Sequence, residues 1–155
     1  MQLPLENITL KNAMLKQVTI KQVTWQQAEA YLREIRTSVF IEEQFVTPEF
    51  EWDEIDHSAV HLLAMHEKQA IGCLRIIHHA KIGRMAVLKS WRGLGVGKML
   101  LNEAIKICAL QGSKQIDLSA QTHAVHFYQQ AGFQVISDEY TDVQIPHVDM
   151  RLSLD

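Results

Sequence analysis

The stretch Arg92-Gly93-Leu94-Gly95-Val96-Gly97-Lys98 constrains this chain more than any other. It follows an apolar, strand-like run at residues 82–88 and opens a long amphipathic helical pattern. Alternating glycines let several backbone N–H groups turn toward one point with no side chain in the way. At a helix N-terminus those amides are unpaired, and the macrodipole places about half a positive charge there. Lys89, Arg92 and Lys98 add full charges around the same turn. The combination predicts a cradle for a phosphate or pyrophosphate.

Spacing separates the nucleotide motifs that compete for such a loop. A P-loop needs four residues between its first glycine and Gly-Lys-Ser/Thr, because the hydroxyl holds magnesium. Here Leu94, Gly95 and Val96 separate Gly93 from Gly97, and Met99 follows Lys98, so that ligand is missing. A dinucleotide fingerprint needs G-x-G-x-x-G near the first strand and an acid about twenty residues on. The glycines here run G-x-G-x-G deep in the chain, and Asp117 falls in a later strand. The pattern that fits is R-x-x-G-x-G, from Arg92 to Gly97.

With 155 residues, 47% hydrophobic, the chain is expected to form one domain, 1–155, with residues 1–16 as an N-terminal extension. A net charge of −3 gives no reason to expect nucleic acid or an anionic membrane as partner. Seven acids (Glu42, Glu43, Glu49, Glu51, Asp53, Glu54 and Asp56) nevertheless fall in a segment without Lys or Arg, leaving 11 acids against 15 bases elsewhere. Cys73 and Cys108 stand among apolar neighbours and read as reduced core thiols. Pro4, Glu6 and Asn7 interrupt any signal-peptide pattern, and no apolar run approaches spanning length, so a cytoplasmic protein is expected.

Periodicity predicts a strand over 18–23, then a helix capped by Thr24 and Gln27 whose apolar face runs through Ala28, Leu32, Ile35 and Val39 toward Phe40. The acidic segment follows as loop or short helix. Residues 59–65 and 70–77 read as a hairpin, and 82–88 as the next strand. A helix over 96–111 stops at Gly112, and a strand follows at 116–120. A helix over 122–131 and strands at 133–136 and 148–154 complete a mixed sheet flanked by helices.

A second motif lies downstream, Ala124-Val125-His126-Phe127-Tyr128-Gln129-Gln130-Ala131-Gly132-Phe133. Together with Arg92-x-x-Gly95-x-Gly97, it resembles the two coenzyme A marks of the GNAT (Gcn5-related) N-acetyltransferases, at the family's separation. Residues Arg36 to Gln44, then Pro48, Glu51, Asp53, Asp56 and His61, resemble its ElaA/YjcF-type branch. Ile82-Gly83-Arg84, Ala120-Gln121 and Ile145-Pro146-His147 agree with that branch. The resemblance implies a mostly antiparallel sheet of six to seven strands with a splayed parallel pair at the coenzyme site. Where many relatives carry Asn three residues before the signature Ala, Gln121 stands here, an amide of longer reach.

The resemblance also implies roles. Acetyl-CoA would be the co-substrate, held by Met85, Ala86, Val87, Arg92, Gly93, Leu94, Gly95, Val96, Gly97, Lys98, Gln121 and Tyr128. The N–H of Ala86 or Val87 would meet the oxyanion. Tyr128 would be the general acid, a phenol near pKa 10 serving a thiolate near 8.5. Glu43, His61, His147 or a water they hold are candidate bases, with none preferred. Arg36, Gln44, Asp53, Asp56 and Arg84 are candidate acceptor-side residues, although for Arg84 an ion pair with an acid is an equal reading.

The acceptor would be the primary amine of a small, cationic molecule or of a protein, drawn by the acidic segment. A non-catalytic acyl-CoA-binding module is the alternative. The eight histidines do not make a metal-site pattern: His66-Glu67-Lys68-Gln69-Ala70 lacks the second His of HExxH, so no metal is expected. A homodimer is left open.

Overall fold

The computed structural model describes residues 5–155, and the first four residues of the predicted extension lie outside it. Helix α1 (Leu5–Lys16) precedes strand β1 (Val18–Val23). Its sequence carries no apolar stripe, so periodicity did not announce it. At Thr24 the predicted capping box forms. The Gln27 N–H donates to the Thr24 hydroxyl at 3.2 Å, and the Thr24 N–H donates to the Gln27 side-chain carbonyl at 2.9 Å. Helix α2 (Trp25–Arg36) then buries Trp25, Ala28, Leu32 and Ile35.

No stop signal follows α2, and the chain widens into a π-helical turn over Thr37–Glu43 that buries Val39 and Phe40. It closes when the Gln44 N–H donates to the Val39 carbonyl and Phe45 takes a left-handed φ of 61°. The acidic segment continues as the short helix α3 (Pro48–Glu51) and a 3₁₀ turn, Glu54–His57.

Strands β2 (Val60–His66), β3 (Gln69–Ile77) and β4 (Lys81–Val87) form an antiparallel meander beside β1. Helix α4 (Val96–Leu110) leads to β5 (Gln115–Gln121), and helix α5 (Val125–Gln130) to β6 (Gln134–Val135), β7 (Tyr140–Asp142) and β8 (Ile145–Ser153). The sheet order is β1-β2-β3-β4-β5-β8-β6, with β7 also paired to β8. The sheet therefore has eight strands, where the sequence predicts six or seven. The additional strand is the three-residue β7, too short for a period of two to register. The helix predicted over 122–131 divides into a 3₁₀ turn, Thr122–Ala124, and α5.

Among the described residues only β4 and β5 run parallel. They pair at Lys81 with Asp117 and Ile82 with Leu118, then part. The parting coincides with a bulge in β4, where two residues, Arg84 and Met85, stand against one on β3. Arg84 takes a φ of 49° there.

Two apolar cores lie on opposite faces of the sheet. One packs Leu62, Leu74, Ile82, Leu118 and Met150 against Leu100, Leu101 and Ala104 of α4. The other packs Leu63, Met65, Cys73 and Ala86 against Trp25, Leu32 and Ile35 of α2. Cys73 and Cys108 are buried free thiols, and burial raises Cys73 to about 12.

Candidate active site

At the C-terminal end of β4 the chain makes a 3₁₀ turn, Lys89–Trp91, and enters the glycine loop. Gly93 has φ 75° and Gly95 φ 101°, a region that L side chains enter at a cost of about 1–2 kcal/mol. Gly95 is the N-cap of α4 and offers no side chain to the first amides of the helix. Those amides therefore stay available to an anion. A Cβ at Gly93 would meet nothing within 4 Å, so the cradle is roomy on that side. Lys98 stands exposed on the first turn of α4, and Val96 is buried beneath it.

Arg92 does not simply extend toward a ligand. Its Nε donates to the Val87 carbonyl at 2.9 Å, and its two Nη groups clamp the Glu43 carboxylate at 2.6 and 2.9 Å. The hydrogen bond from Arg92 holds the Glu43 carboxyl below the usual range. The pair ties the glycine loop to the end of the π-helical turn. Beside it, the Gln121 side-chain amide donates to the Gln44 side chain at 2.8 Å, bridging β5 to the end of the same turn.

Met85 and Val87 are half-buried on the splayed end of β4, while the Ala86 side chain is turned into the core beneath α2. Tyr128 lies opposite on α5 with 8% of its surface exposed. Phe127 and Phe133 meet it edge-on, at centroid distances of 5.1 and 6.0 Å. Burial raises its phenol to about 12, so the hydroxyl stays protonated at neutral pH. Forming a phenolate there is costly. A phenol so placed donates a hydrogen bond far more readily than it gives up its proton.

The acidic segment is not the solvated surface its composition suggests. Arg36, 1% exposed, donates through Nε to Glu51 and through Nη1 to Asp56, both at 2.7 Å. Arg75 donates to Asp53 at 2.8 Å and Asp56 at 3.1 Å. Arg84 lies 3.2 Å from Glu51 and 3.5 Å from Asp53, and its Nη2 donates to the carbonyls of Phe50 and Glu51. Trp25 and Trp52 cover the Arg36 guanidinium at 5.7 and 4.9 Å.

Burial alone would raise the Asp56 carboxyl, but the hydrogen bonds and charge of Arg36 and Arg75 outweigh it and hold the group low. With Glu43 on Arg92, four of the segment's seven acids face arginines. The negative field expected from the segment is cancelled at those positions. The physical reason is that three of the four guanidiniums come from strands or loops outside the segment, a distance in sequence that composition does not reveal.

The predicted acceptor-side residues accordingly divide. Arg36 and Asp56 are sealed inside the ionic cluster and do not line a groove. Asp53 and Arg84 stand at its half-exposed edge, and Gln44 reaches Gln121 of β5. The candidate bases divide as well. His61 is 1% exposed and gives its Nε2 proton to the Asp56 carbonyl at 2.8 Å, while burial lowers its pKa and keeps it neutral. Glu43 is committed to Arg92. His147, also buried at 7% exposure, lies directly across from Gln121 in the β5–β8 register.

This part of the sheet carries residues the motif reading passed over. Beyond the reach of α2, Ser119 of β5 and Asp149 of β8 are cross-strand partners, and Tyr140 of β7 pairs with His147. The Tyr140 hydroxyl bonds to the Ser119 hydroxyl and donates to the Asp149 carboxylate at 2.6 Å. The His147 ring stacks on Tyr140, with centroids 6.0 Å apart and planes at 17°. Its Nδ1 donates to the Ile145 carbonyl at 2.6 Å. A sequence signal existed in the alternation Asp117, Ser119, Gln121 and His147, Asp149, Arg151, polar residues at a period of two in otherwise apolar strands. Among the described residues no three His, Cys, Asp or Glu side chains gather as a metal site.

This geometry matches known proteins. A family model described as acetyltransferase (GNAT) domain matches residues 17–154. Bacillus subtilis YyaT is 40% identical over 120 residues, covering 74% of this chain and 81% of that protein. The N-acetyltransferase YjcF of the same organism is 36% identical over 120 residues, covering 75% and 86%. The crystal structure of Escherichia coli ElaA superposes with a TM-score of 0.79 at 25% identity, covering 88% of this chain and 99% of that one. A matched family model over nearly the whole chain, together with a parallel pair that parts beside a left-handed glycine loop, places this chain in the GNAT acetyltransferase family, in its ElaA/YjcF-like branch.

Proposed function

We propose that the chain moves the acetyl group of acetyl-CoA to the primary amine of a small molecule or a protein by direct attack on the thioester. The observation that carries the reading is the separation of β4 from β5 after two paired positions, which leaves the rest of β4 unpaired on that side as it runs on toward the Gly93–Gly95 loop. Such a cleft gives an extended pantetheine arm open backbone groups on both walls, and the loop amides and Lys98 suit a pyrophosphate at its outer end. In this reading the N–H of Ala86 or Val87 faces the developing oxyanion. Tyr128 then supports the departing sulfur.

The cancellation of charge in the acidic segment removes the reason to restrict the acceptor to cations through that segment. Asp53 and Arg84 remain proposed contacts at the edge of the acceptor mouth, and Gln44 with Gln121 its gate. Release of free thiol from acetyl-CoA, followed over a panel of primary amines and peptides, tests the reading. Amine-dependent thiol release supports it. Tight acetyl-CoA binding with no thiol release from any amine would instead mark a non-catalytic binding module.

A further inference from the structure

We propose that Ser119, Tyr140 and Asp149 form a directional proton wire that accepts the proton of the acceptor amine. The inference rests on the acetyl-transfer reading and assigns it a base. Direction follows from counting protons. A phenol has one, and Tyr140 gives it to the Asp149 carboxylate at 2.6 Å. The hydrogen bond between Tyr140 and Ser119 must then be donated by Ser119. The lone pairs of the Ser119 oxygen are left to accept from whatever stands in front of it.

What stands there is set by the sheet. Ser119 is the first residue of β5 after the last pair with β4, so it lies at the apex of the cleft where the strands part. The wire therefore runs from the apex of the cleft, through Tyr140, to a carboxylate on β8. Burial, and then the hydrogen bond to Asp149, raise the Tyr140 phenol, so it rests protonated. His147 stacks on the Tyr140 ring and holds it in place.

The step balances. An acceptor ammonium gives one proton to the Ser119 oxygen, Ser119 passes its own to Tyr140, and Tyr140 passes its own to Asp149. The freed lone pair forms the C–N bond at the thioester carbonyl. The C–S bond breaks with its electron pair on sulfur, which takes a proton from Tyr128. The second proton shed by nitrogen restores Tyr128 through solvent, and Asp149 releases its proton to solvent.

Tyr140→Phe keeps the ring and its stacking and removes only the hydroxyl. The fastest primary alkylamine of the panel, an ammonium at neutral pH, serves as one probe. Methoxyamine, already neutral there, serves as the other. With the alkylamine kcat/KM should fall about a hundredfold, the lower end of general-base contributions, while acetyl-CoA affinity by calorimetry is unchanged. With methoxyamine the fall should be several times smaller. Asp149→Asn, which still accepts a hydrogen bond but cannot be protonated at neutral pH, should show the same selectivity.

Equal losses with both probes would reduce Tyr140 to a structural role and overturn the wire. So would wild-type turnover in Tyr140→Phe, or a selective alkylamine loss in His147→Phe alone, which would make His147 the base. Absence of thiol release from the wild type would overturn the acetyl-transfer reading itself, a result distinct from an active wild type with an equally active Tyr140→Phe.

Discussion

The glycine loop at 92–98 and the acidic segment at 42–56 each carry charge of one sign, and folding treats them oppositely. At the loop, charge stays outward: Gly95 caps α4 without a side chain, and Lys98 is exposed on the first turn. In the segment, charge turns inward. Glu51 and Asp56 are 3% and 1% exposed and sit against Arg36, Arg75 and Arg84. The loop uses backbone amides, which need only local geometry to converge. The segment meets partners from α2, β3 and β4, which only the assembled sheet brings near. A local motif thus predicts binding, whereas a run of like charge predicts little until its partners are known.

The contrast can be tested by substitutions on each side. The largest effect on stability should come from Arg36→Met, which leaves Glu51 and Asp56 buried with one cation fewer. Removing one partner of a buried ionic cluster costs about 3–5 kcal/mol, to be read from urea denaturation. Part of its pH signature, opposed by Glu51 whose carboxyl burial raises, follows from Asp56. The folded group titrates below its unfolded value, so its contribution is complete above the unfolded value of about 3.9 and drains as pH falls through the folded one. The variant should lose part of that acid limb. Wild-type stability in Arg36→Met would show the cluster to be ornamental.

Tyr128→Phe comes next. Stability and acetyl-CoA binding should hold while kcat falls about a hundredfold, the lower end for a general acid. Equal thiol release by the two proteins would leave Tyr128 as a packing residue. Gly95→Val forces a branched side chain into φ 101°, with Leu15 of α1 about 3.5 Å from the new Cβ. CoA affinity by calorimetry should drop more than tenfold, over about 1.4 kcal/mol. Unchanged affinity would remove the phosphate cradle.

The smallest effect belongs to the pair that joins the two regions. Glu43→Gln breaks an exposed ion pair worth about 0–1 kcal/mol, so unfolding should barely change. Released from Glu43, Arg92 is free to turn toward the coenzyme, and CoA affinity should rise modestly or stay level. A marked loss of affinity would mean that Arg92 needs Glu43 to shape the loop.

Much of the fold was legible because its signals are local. Thr24 and Gln27 cap a helix within one turn, Gly112 ends α4 with φ 83°, and the β2–β3 hairpin follows from two alternating runs around a polar turn. The glycine loop and the Tyr128 motif were legible for the same reason, each being a short pattern that carries its own geometry. The bulge at Arg84 was not. A non-glycine residue at φ 49° leaves no mark in the sequence, and it is held there by carbonyls and carboxylates more than 30 residues away.

Sequence by itself determined the helix starts and stops, the strand faces and the left-handed glycine loop, since each depends on neighbours within about one helical turn or one strand. The tertiary structure decided which charges remain available. It neutralised four acids of the acidic segment, sealed His61 behind Asp56 and spent Glu43 on Arg92. It also assembled Ser119, Tyr140 and Asp149 from three strands into one hydrogen-bonded line. Those outcomes depend on strand order and register, which place groups within a few ångströms whatever their separation along the chain.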